Sequence, residues 1–216
     1  EGDGLGHTKG TVNAVQRRLR FLKTSQIFPE TGISILPRLI ETLEIGRPII
    51  VNTSFLSDLE QFLLTTVVAR TLFELRRALK SSNTWEEFEK QAKLRLPESF
   101  LKKFLNKAKT LYIKGSSRGS VKVKDPNDLP VVLITVEEAP SILTPELMRG
   151  GSIFKDIARQ GRKFRIGLVV ISQQVSVIDN VILSQINTEI NLKLGDDVEI
   201  RAAIKNASVN STWFED

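Results

Sequence analysis

The sequence predicts an α/β protein in which a parallel sheet is covered by helices on both faces. Residues 131–136 and 166–171 are almost continuously apolar, as strands buried on both faces are. Segments with helical spacing separate such strands along the chain, which is the order that a parallel sheet requires. With 216 residues, 41% of them hydrophobic, the chain is long enough to bury this core.

The first elements are predicted to be two helices and a strand. Apolar residues at helical spacing favour helices over residues 12–24 and 35–43. Gly46 and Pro48 end the second helix. Residues 47–52 are short, β-branched and apolar, so we expect them to form a buried strand.

Two capping boxes predict where the next helices begin. Ser57 has Glu60 three residues later, and an apolar helical pattern continues from there to about Leu79. Thr84 and Glu87 have the same spacing at the start of a second helix.

Residues 83–128 are predicted to be a helical, basic insertion between two strands. Pro97 begins a helix over residues 98–110, and residues 114–128 read as a loop or an exposed hairpin. Between Ser99 and Lys124 there are eight basic residues and no acidic one. This segment is either a solvated surface or a surface that faces nucleic acid phosphates. The candidates for DNA contact are Lys102, Lys103, Lys107, Lys109, Lys114 and Arg118.

From residue 129 onward, strands and helices alternate. Acidic residues begin the last helix, where the helix dipole favours them. The predicted elements are a strand over residues 131–136, a helix cap and first turn at Thr144-Pro145-Glu146, a helix over 152–160, a strand over 166–171, one or two helical turns over 178–183, a third strand over 189–194 and a helix over 196–206.

Composition excludes several kinds of chemistry. The chain has no Cys and a single His, so disulfides, thiolate metal sites and a Ser/His/Asp triad are excluded. No apolar run reaches the roughly 20 residues of a membrane span, and we expect a cytoplasmic protein without a membrane partner. The first residue is Glu1 and not Met, which favours a processed chain or an excised fragment.

Two carboxylates follow the strand that ends at residue 136. In nucleotide hydrolases, one carboxylate in this position holds the magnesium shell and the next polarises the attacking water. Glu137 and Glu138 are the candidates, although an acidic pair after a strand is also a common polar edge. Gln173, at the end of the next strand, could orient water or contact a γ-phosphate, or could be an ordinary loop residue.

Residues 155–165 contain five basic side chains. They are either the solvated end of a helix, where cations suit the helix dipole, or the source of an arginine finger that reaches a neighbouring subunit's nucleotide. The candidate fingers are Arg159 and Arg162, and spacing alone does not choose between them.

The order and spacing of these motifs resemble the HerA branch of the HerA/FtsK ATPases. The resemblance is carried by Glu137-Glu138-Ala139, by residues 157–164, by Ser172-Gln173 and by residues 183–188. It is specific over residues 129–194, weaker over 47–80, and absent from the first 45 residues and from the basic insertion. Pro140 stands where the family commonly has His.

This resemblance implies a RecA-like P-loop NTPase core that binds ATP and Mg²⁺, assembles as a hexameric ring and moves duplex DNA. Archaeal members work with a NurA-type nuclease in DNA end resection during double-strand break repair. Carried over by position, Glu137 is the Walker B residue that holds Mg²⁺ through water, Glu138 the catalytic glutamate, Gln173 the sensor, and Arg159 or Arg162 the finger.

The family's phosphate-binding loop is missing from the printed sequence. The nearest candidate, residues 4–11, fails G-x-x-x-x-G-K-[ST] in spacing and context. We therefore expect residues 1–45 to form a helical segment and residues 46–216 to be the C-terminal part of an incomplete RecA-like core, inactive by itself. The alternatives are another motor of the superfamily, used in conjugation or secretion, and an inactive DNA-binding or ring-scaffold module.

Overall fold

A computed structural model describes residues 34–117, 119–149, 151–192 and 196–206, together with the isolated positions 10, 13 and 16. The chain divides into two units, residues 1–34 and 35–216, and the elements below belong to the second. The helix predicted over residues 12–24 lies outside the described residues except at Asn13 and Gln16, both of which are helical.

The second unit is a mixed α/β structure with a helical first half and an α/β second half. Short 3-10 turns cover Pro126–Asp128, Ala139–Ser141, Gly161–Phe164 and Val175–Val177. The helices and strands are α1 (Leu36–Glu44), α2 (Asp58–Lys80), α3 (Trp85–Arg95), α4 (Glu98–Tyr112), β1 (Ile113–Ser117), β2 (Ser120–Val123), β3 (Val132–Val136), α5 (Ile153–Gln160), β4 (Ile166–Val170), α6 (Asn180–Leu183) and α7 (Asp197–Asn206).

Both capping boxes predicted from the sequence are confirmed. The Ser57 hydroxyl accepts the Glu60 amide of α2 while the Glu60 carboxylate accepts the Ser57 amide, and Thr84 with Glu87 does the same for α3. These local bonds satisfy amides that the first helical turn leaves without partners. The helices begin where the sequence predicts because the signal lies within four residues.

Strands β1 and β2 form an antiparallel hairpin, which decides the alternative left open for residues 114–128. Ile113 is opposite Val123 and Ser117 is opposite Ser120, with an irregularity in register after Ile113. The hairpin is joined to the helical half through an isolated bridge between Thr84 and Lys122.

Strands β3 and β4 confirm the predicted parallel pairing. Val132 is opposite Ile166 and Val136 is opposite Val170, with α5 as the connection between the two strands. One face of this pair packs on α2 and α5, but Leu133 on the other face is 62% exposed. The prediction of a sheet covered on both faces is therefore wrong for the described residues, because nothing among them packs on the second face.

Two predicted strands are absent. Residues 47–52 have no strand structure, and neither do residues 189–192, while positions 193 and 194 lie outside the described residues. Within the described chain, β3 and β4 pair only with each other, and an unpaired segment gains no ladder hydrogen bonds. Ile50 and Ile190 are accordingly 96% and 84% exposed. Thr144-Pro145-Glu146 begins a turn, not a helix.

A buried ion pair links the helical half to the sheet. Arg76 of α2 donates from Nε and Nη2 to both carboxylate oxygens of Glu44, at 3.1 and 3.0 Å, and neither residue is appreciably exposed. The remaining guanidinium nitrogen donates to the carbonyls of Phe164 and Arg165, at 3.1 and 2.9 Å. One side chain thus fixes α1, α2 and the segment leading into β4 relative to each other.

Candidate functional site

The candidate catalytic pair lies at the carboxyl edge of the two-stranded sheet. Glu137 and Glu138 directly follow β3, and both are exposed. Glu138 has φ 53° and ψ 54°, the left-handed conformation, which costs a residue with a Cβ roughly 1–2 kcal/mol. Such strain persists only where the surroundings enforce it, and it occurs preferentially at functional sites.

Hydrogen bonds on both sides hold the Glu138 backbone in this conformation. The Ala139 amide donates to the Ile171 carbonyl at 3.1 Å, and the Ile171 amide donates to the Val136 carbonyl at 2.9 Å, so the ends of β3 and β4 are joined across the acidic pair. The Ser141 amide and hydroxyl both donate to the Glu138 carbonyl, at 3.0 and 2.9 Å. Ala139 is fully buried, so the turn cannot move without opening the core.

The acidic turn also touches the first part of α2. The Ser141 hydroxyl is 3.4 Å from Gln61 Oε1, and Gln61 Nε2 donates to the Leu56 carbonyl at 3.0 Å. Sequence reasoning missed both residues, although a Ser three residues after an acidic strand end is a recognisable signal for a bond to the preceding carbonyl.

Gln173 lies at the same sheet edge as the acidic pair, because β3 and β4 are parallel and in register. It follows β4 by three residues and its side chain is exposed. The preceding Ser172 hydroxyl accepts the Gln174 amide at 2.9 Å and so shapes the loop that carries Gln173. Three oxygen-bearing side chains are thus presented to solvent at one edge.

This donor set fits magnesium held partly by water. Mg²⁺ prefers oxygen ligands and usually keeps several waters, with one or two carboxylates completing its shell. The described residues contain no group of three or more acidic, His or Cys side chains that could enclose a metal. Glu137 could therefore contribute one carboxylate to a Mg²⁺ whose remaining ligands are water and substrate phosphates.

The two candidate arginines lie at the opposite edge of the sheet. Arg159 is in the last turn of α5, and Arg162 is in the turn that leads into the first residue of β4; both are exposed. The five residues of β3 separate this edge from the acidic pair by roughly 13 Å, at about 3.3 Å per residue. One copy of the chain therefore does not bring either arginine to Glu137 and Glu138.

The lysines of the basic insertion are exposed, but several have acidic neighbours that the sequence does not show. Lys102 pairs with Glu98 at 2.9 Å, Lys107 pairs with Glu41 of α1, and Lys114 pairs with Asp128 at 3.0 Å. Lys109 lies 5.6 Å from the centroid of the Trp85 ring. Lys103 is exposed and has no ion pair among the described residues, and Arg118 lies outside them.

The described residues define an α/β protein with carboxylates at the edge where open parallel sheets bind their ligands. No protein-family model matches the chain. Over 65 residues, 29% of the chain, it is 45% identical to the DNA double-strand break repair helicase HerA of Pyrococcus furiosus, of which it covers 12%. It is 40% identical over 67 residues to the HerA of Sulfurisphaera tokodaii, covering 13% of that protein.

A further relative is a probable helicase of Methanocaldococcus jannaschii, 32% identical over 76 residues. The matches span 12–16% of the length of these curated relatives. The chain is thus HerA-like over about a third of its own residues, which confirms the family resemblance. In the described residues no helix combines the length and the apolar character that crossing a membrane requires.

Proposed function

We propose that this chain supplies the acidic edge of the nucleotide-hydrolysing core of a HerA-type DNA helicase. The observation that carries the proposal is the Glu137-Glu138 pair, held in a strained turn at the carboxyl edge of a parallel sheet. The similarity to HerA supports helicase function, since the relatives are named helicases of DNA double-strand break repair.

In the proposed mechanism, each residue of the edge has one task. Glu138 accepts a hydrogen bond from the attacking water and orients it in line with the γ-phosphate of ATP. Glu137 holds Mg²⁺ through water, and Gln173 donates to the γ-phosphate. Bound Mg²⁺ neutralises charge on the phosphates. The pinned turn keeps the Glu138 side chain from leaving the sheet edge between turnovers.

The position of the arginines supports action between subunits. Because Arg159 and Arg162 lie at the opposite sheet edge, they can stabilise phosphate charge only on a nucleotide bound to a neighbouring copy. We propose that copies associate head to tail, with a hexameric ring as the closed form. Duplex DNA as substrate and a NurA-type nuclease as partner belong to the same proposal.

A RecA-like core also needs a phosphate-binding loop, and the printed 216 residues contain no G-x-x-x-x-G-K-[ST]. The proposal therefore concerns the complete gene product, in which this chain acts together with such a loop. A P-loop fold and ATP binding are proposed on the same basis.

ATP hydrolysis by the complete gene product tests the proposal. Wild type should hydrolyse ATP with Mg²⁺ and be stimulated by duplex DNA. Glu138→Gln removes the hydrogen-bond acceptor for water, so kcat should fall by roughly 10²-fold or more while nucleotide affinity stays unchanged. Glu146→Gln is the matched control, because Glu146 is exposed and lies in the turn after the 3-10 segment, away from the strand ends.

Two results would contradict the proposal. Glu138→Gln with unchanged turnover would remove the catalytic role of the pair. A gene product that binds DNA with a steep salt dependence, no nucleotide dependence and no ATPase would instead be the inactive DNA-binding or scaffold module.

A further inference from the structure

A polar cavity of about 420 Å³ lies where the end of α2, the start of α3 and the β1–β2 hairpin meet. It is remote in sequence from the acidic pair, and no motif of the HerA resemblance contributes to it. Its lining residues are Lys80, Ser82, Asn83, Thr84, Lys114, Ser120, Lys122, Val123 and Asp125, and we call it the hairpin cavity.

The backbone around the hairpin cavity is fixed by bonds between distant segments. The Val123 amide donates to the Asn83 carbonyl at 3.2 Å, and Lys122 bridges to Thr84 in antiparallel fashion. The Thr84 hydroxyl oxygen accepts the Glu87 amide at 3.3 Å, so its own proton remains available for an acceptor in the cavity. The hairpin is therefore held against the first turn of α3.

The chemistry of the lining favours an anion. Three lysines and one aspartate give the cavity a positive excess, and all but one of the other lining residues carry a hydroxyl or amide. Lys80 and Lys114 each donate one hydrogen bond to a carboxylate, at 2.8 Å to Asp125 and 3.0 Å to Asp128. An ammonium has three N–H donors, so each of these lysines keeps two for another acceptor.

Lys122 is exposed and forms no ion pair among the described residues. Burial alone would raise the pKa of the Asp125 carboxyl, but hydrogen bonds from Lys80 and from the Asn127 amide outweigh it and lower that pKa. Asp125 therefore stays ionised at neutral pH and keeps the Lys80 ammonium at the rim of the cavity.

We propose that the hairpin cavity binds phosphate groups of a DNA backbone. A volume of about 420 Å³ is in the range of sites for nucleotide-sized ligands, and is larger than a single phosphate needs. The positive surface also continues beyond the cavity, because Lys109 lies over Trp85, the residue after Thr84. The choice of DNA as the source of the phosphates rests on the proposed function.

Salt-dependent binding of a fluorescently labelled DNA duplex to the 216-residue chain tests this site. Each phosphate contact contributes about 0.9 to the slope of log affinity against log salt. Lys114→Gln/Lys122→Gln should therefore lower the slope by about 1.8 and weaken binding roughly tenfold or more at about 0.1 M salt. Lys90→Gln/Lys93→Gln, on the exposed side of α3, removes the same charge and should change neither quantity appreciably.

A second variant guards against a folding defect. Lys122→Gln breaks no ion pair of the described residues, so it should keep the wild-type circular dichroism and unfolding midpoint while lowering the slope by about 0.9. Equal losses in the site and control variants would overturn the proposal, since only net charge would then matter. Absence of DNA binding by the wild-type chain would also overturn it.

Inorganic pyrophosphate distinguishes a DNA backbone from a free phosphate as the ligand. If the cavity takes the DNA backbone, millimolar pyrophosphate should compete no better than its ionic strength predicts. Lys122-dependent displacement of DNA beyond that ionic-strength effect would show a small-anion site and overturn the DNA assignment. Because these measurements use no nucleotide, their outcome is independent of whether Glu138→Gln stops ATP hydrolysis.

Discussion

Glu138 combines a candidate catalytic carboxylate with a backbone conformation that its Cβ disfavours. The left-handed backbone is imposed by the Ser141 donors on one side and by the Ala139 to Ile171 bond on the other. Its cost is small compared with the advantage of aiming a carboxylate away from the sheet edge. Strain of this kind is a property of one residue and can be measured at that residue.

Replacing Glu138 by Gly should stabilise the chain relative to Glu138→Ala. Both substitutions remove the carboxylate, but only Gly adopts φ 53° without a steric penalty, so the free energy of unfolding should be about 1 kcal/mol higher for Gly. Urea unfolding followed by circular dichroism measures the difference. Equal stabilities, or a more stable Ala variant, would show that the turn is not strained in solution.

Tyr112 offers a pH-dependent test of the helical core. It is fully buried, and burial, followed by the negative charge of Glu44, raises the pKa of its hydroxyl well above 10.0. The unfolded chain loses this proton near pH 10 while the folded chain keeps it. This contribution to stability is therefore fully present below pH 10 and is lost as the pH rises above it.

The chain contains one tyrosine, so its ionisation can be followed directly by tyrosinate absorbance. In the folded chain the absorbance should stay low through pH 10 and rise only together with unfolding, whereas in urea it should rise near pH 10. The stability of Tyr112→Phe should fall less between pH 9 and pH 11 than that of wild type. A reversible titration near pH 10 without unfolding would contradict the buried environment.

At the scale of elements, the sequence predicts helices better than strands. The helix starts at Ser57 and Thr84 follow from residues three apart, and the structure places both where expected. A strand depends on a neighbour that is distant in sequence. Residues 47–52 and 189–192 have the composition of strands but pair with nothing in the described chain.

The candidate site shows the same division between local and distant information. Glu137, Glu138 and Gln173 share an edge because they follow two parallel strands, which the apolar pattern predicts. Spacing did not indicate that Arg159 lies at the other edge, since the direction of a connecting helix is a property of the fold. Nor could it show that Glu41 pairs with Lys107, 66 residues away.

The Arg76 to Glu44 pair is the interaction that couples the helical elements to β4. Arg76→Met leaves the buried Glu44 carboxylate without its partner, and breaking a buried pair costs roughly 3–5 kcal/mol of stability. The double variant Arg76→Met/Glu44→Leu removes both charges and should recover a large part of that loss. Urea unfolding of both variants checks this, and a double variant no more stable than the single one would contradict it.

At the scale of the whole molecule, the open face of the β3–β4 sheet is the dominant feature. Leu133 is 62% exposed, Ile171 is 49% exposed, and Phe55 and Leu192 elsewhere on the surface are 92% and 82% exposed. Monomeric proteins rarely present contiguous apolar patches of more than a few hundred Å², and unpaired strand edges promote association. The 216-residue chain by itself should therefore bind apolar dyes and self-associate.

Leu133→Gln/Ile171→Gln should reduce both effects without destabilising the fold. The two side chains are solvent-exposed, so the free energy of unfolding should change by no more than about 0.5 kcal/mol per substitution. Sedimentation velocity and anilinonaphthalene sulfonate fluorescence measure association and apolar exposure. Ile166→Gln is the control on the opposite face, where 2% exposure predicts a loss of about 2 kcal/mol or more. If Leu133→Gln/Ile171→Gln destabilised the chain as much as Ile166→Gln, the second face of the sheet would be covered in solution.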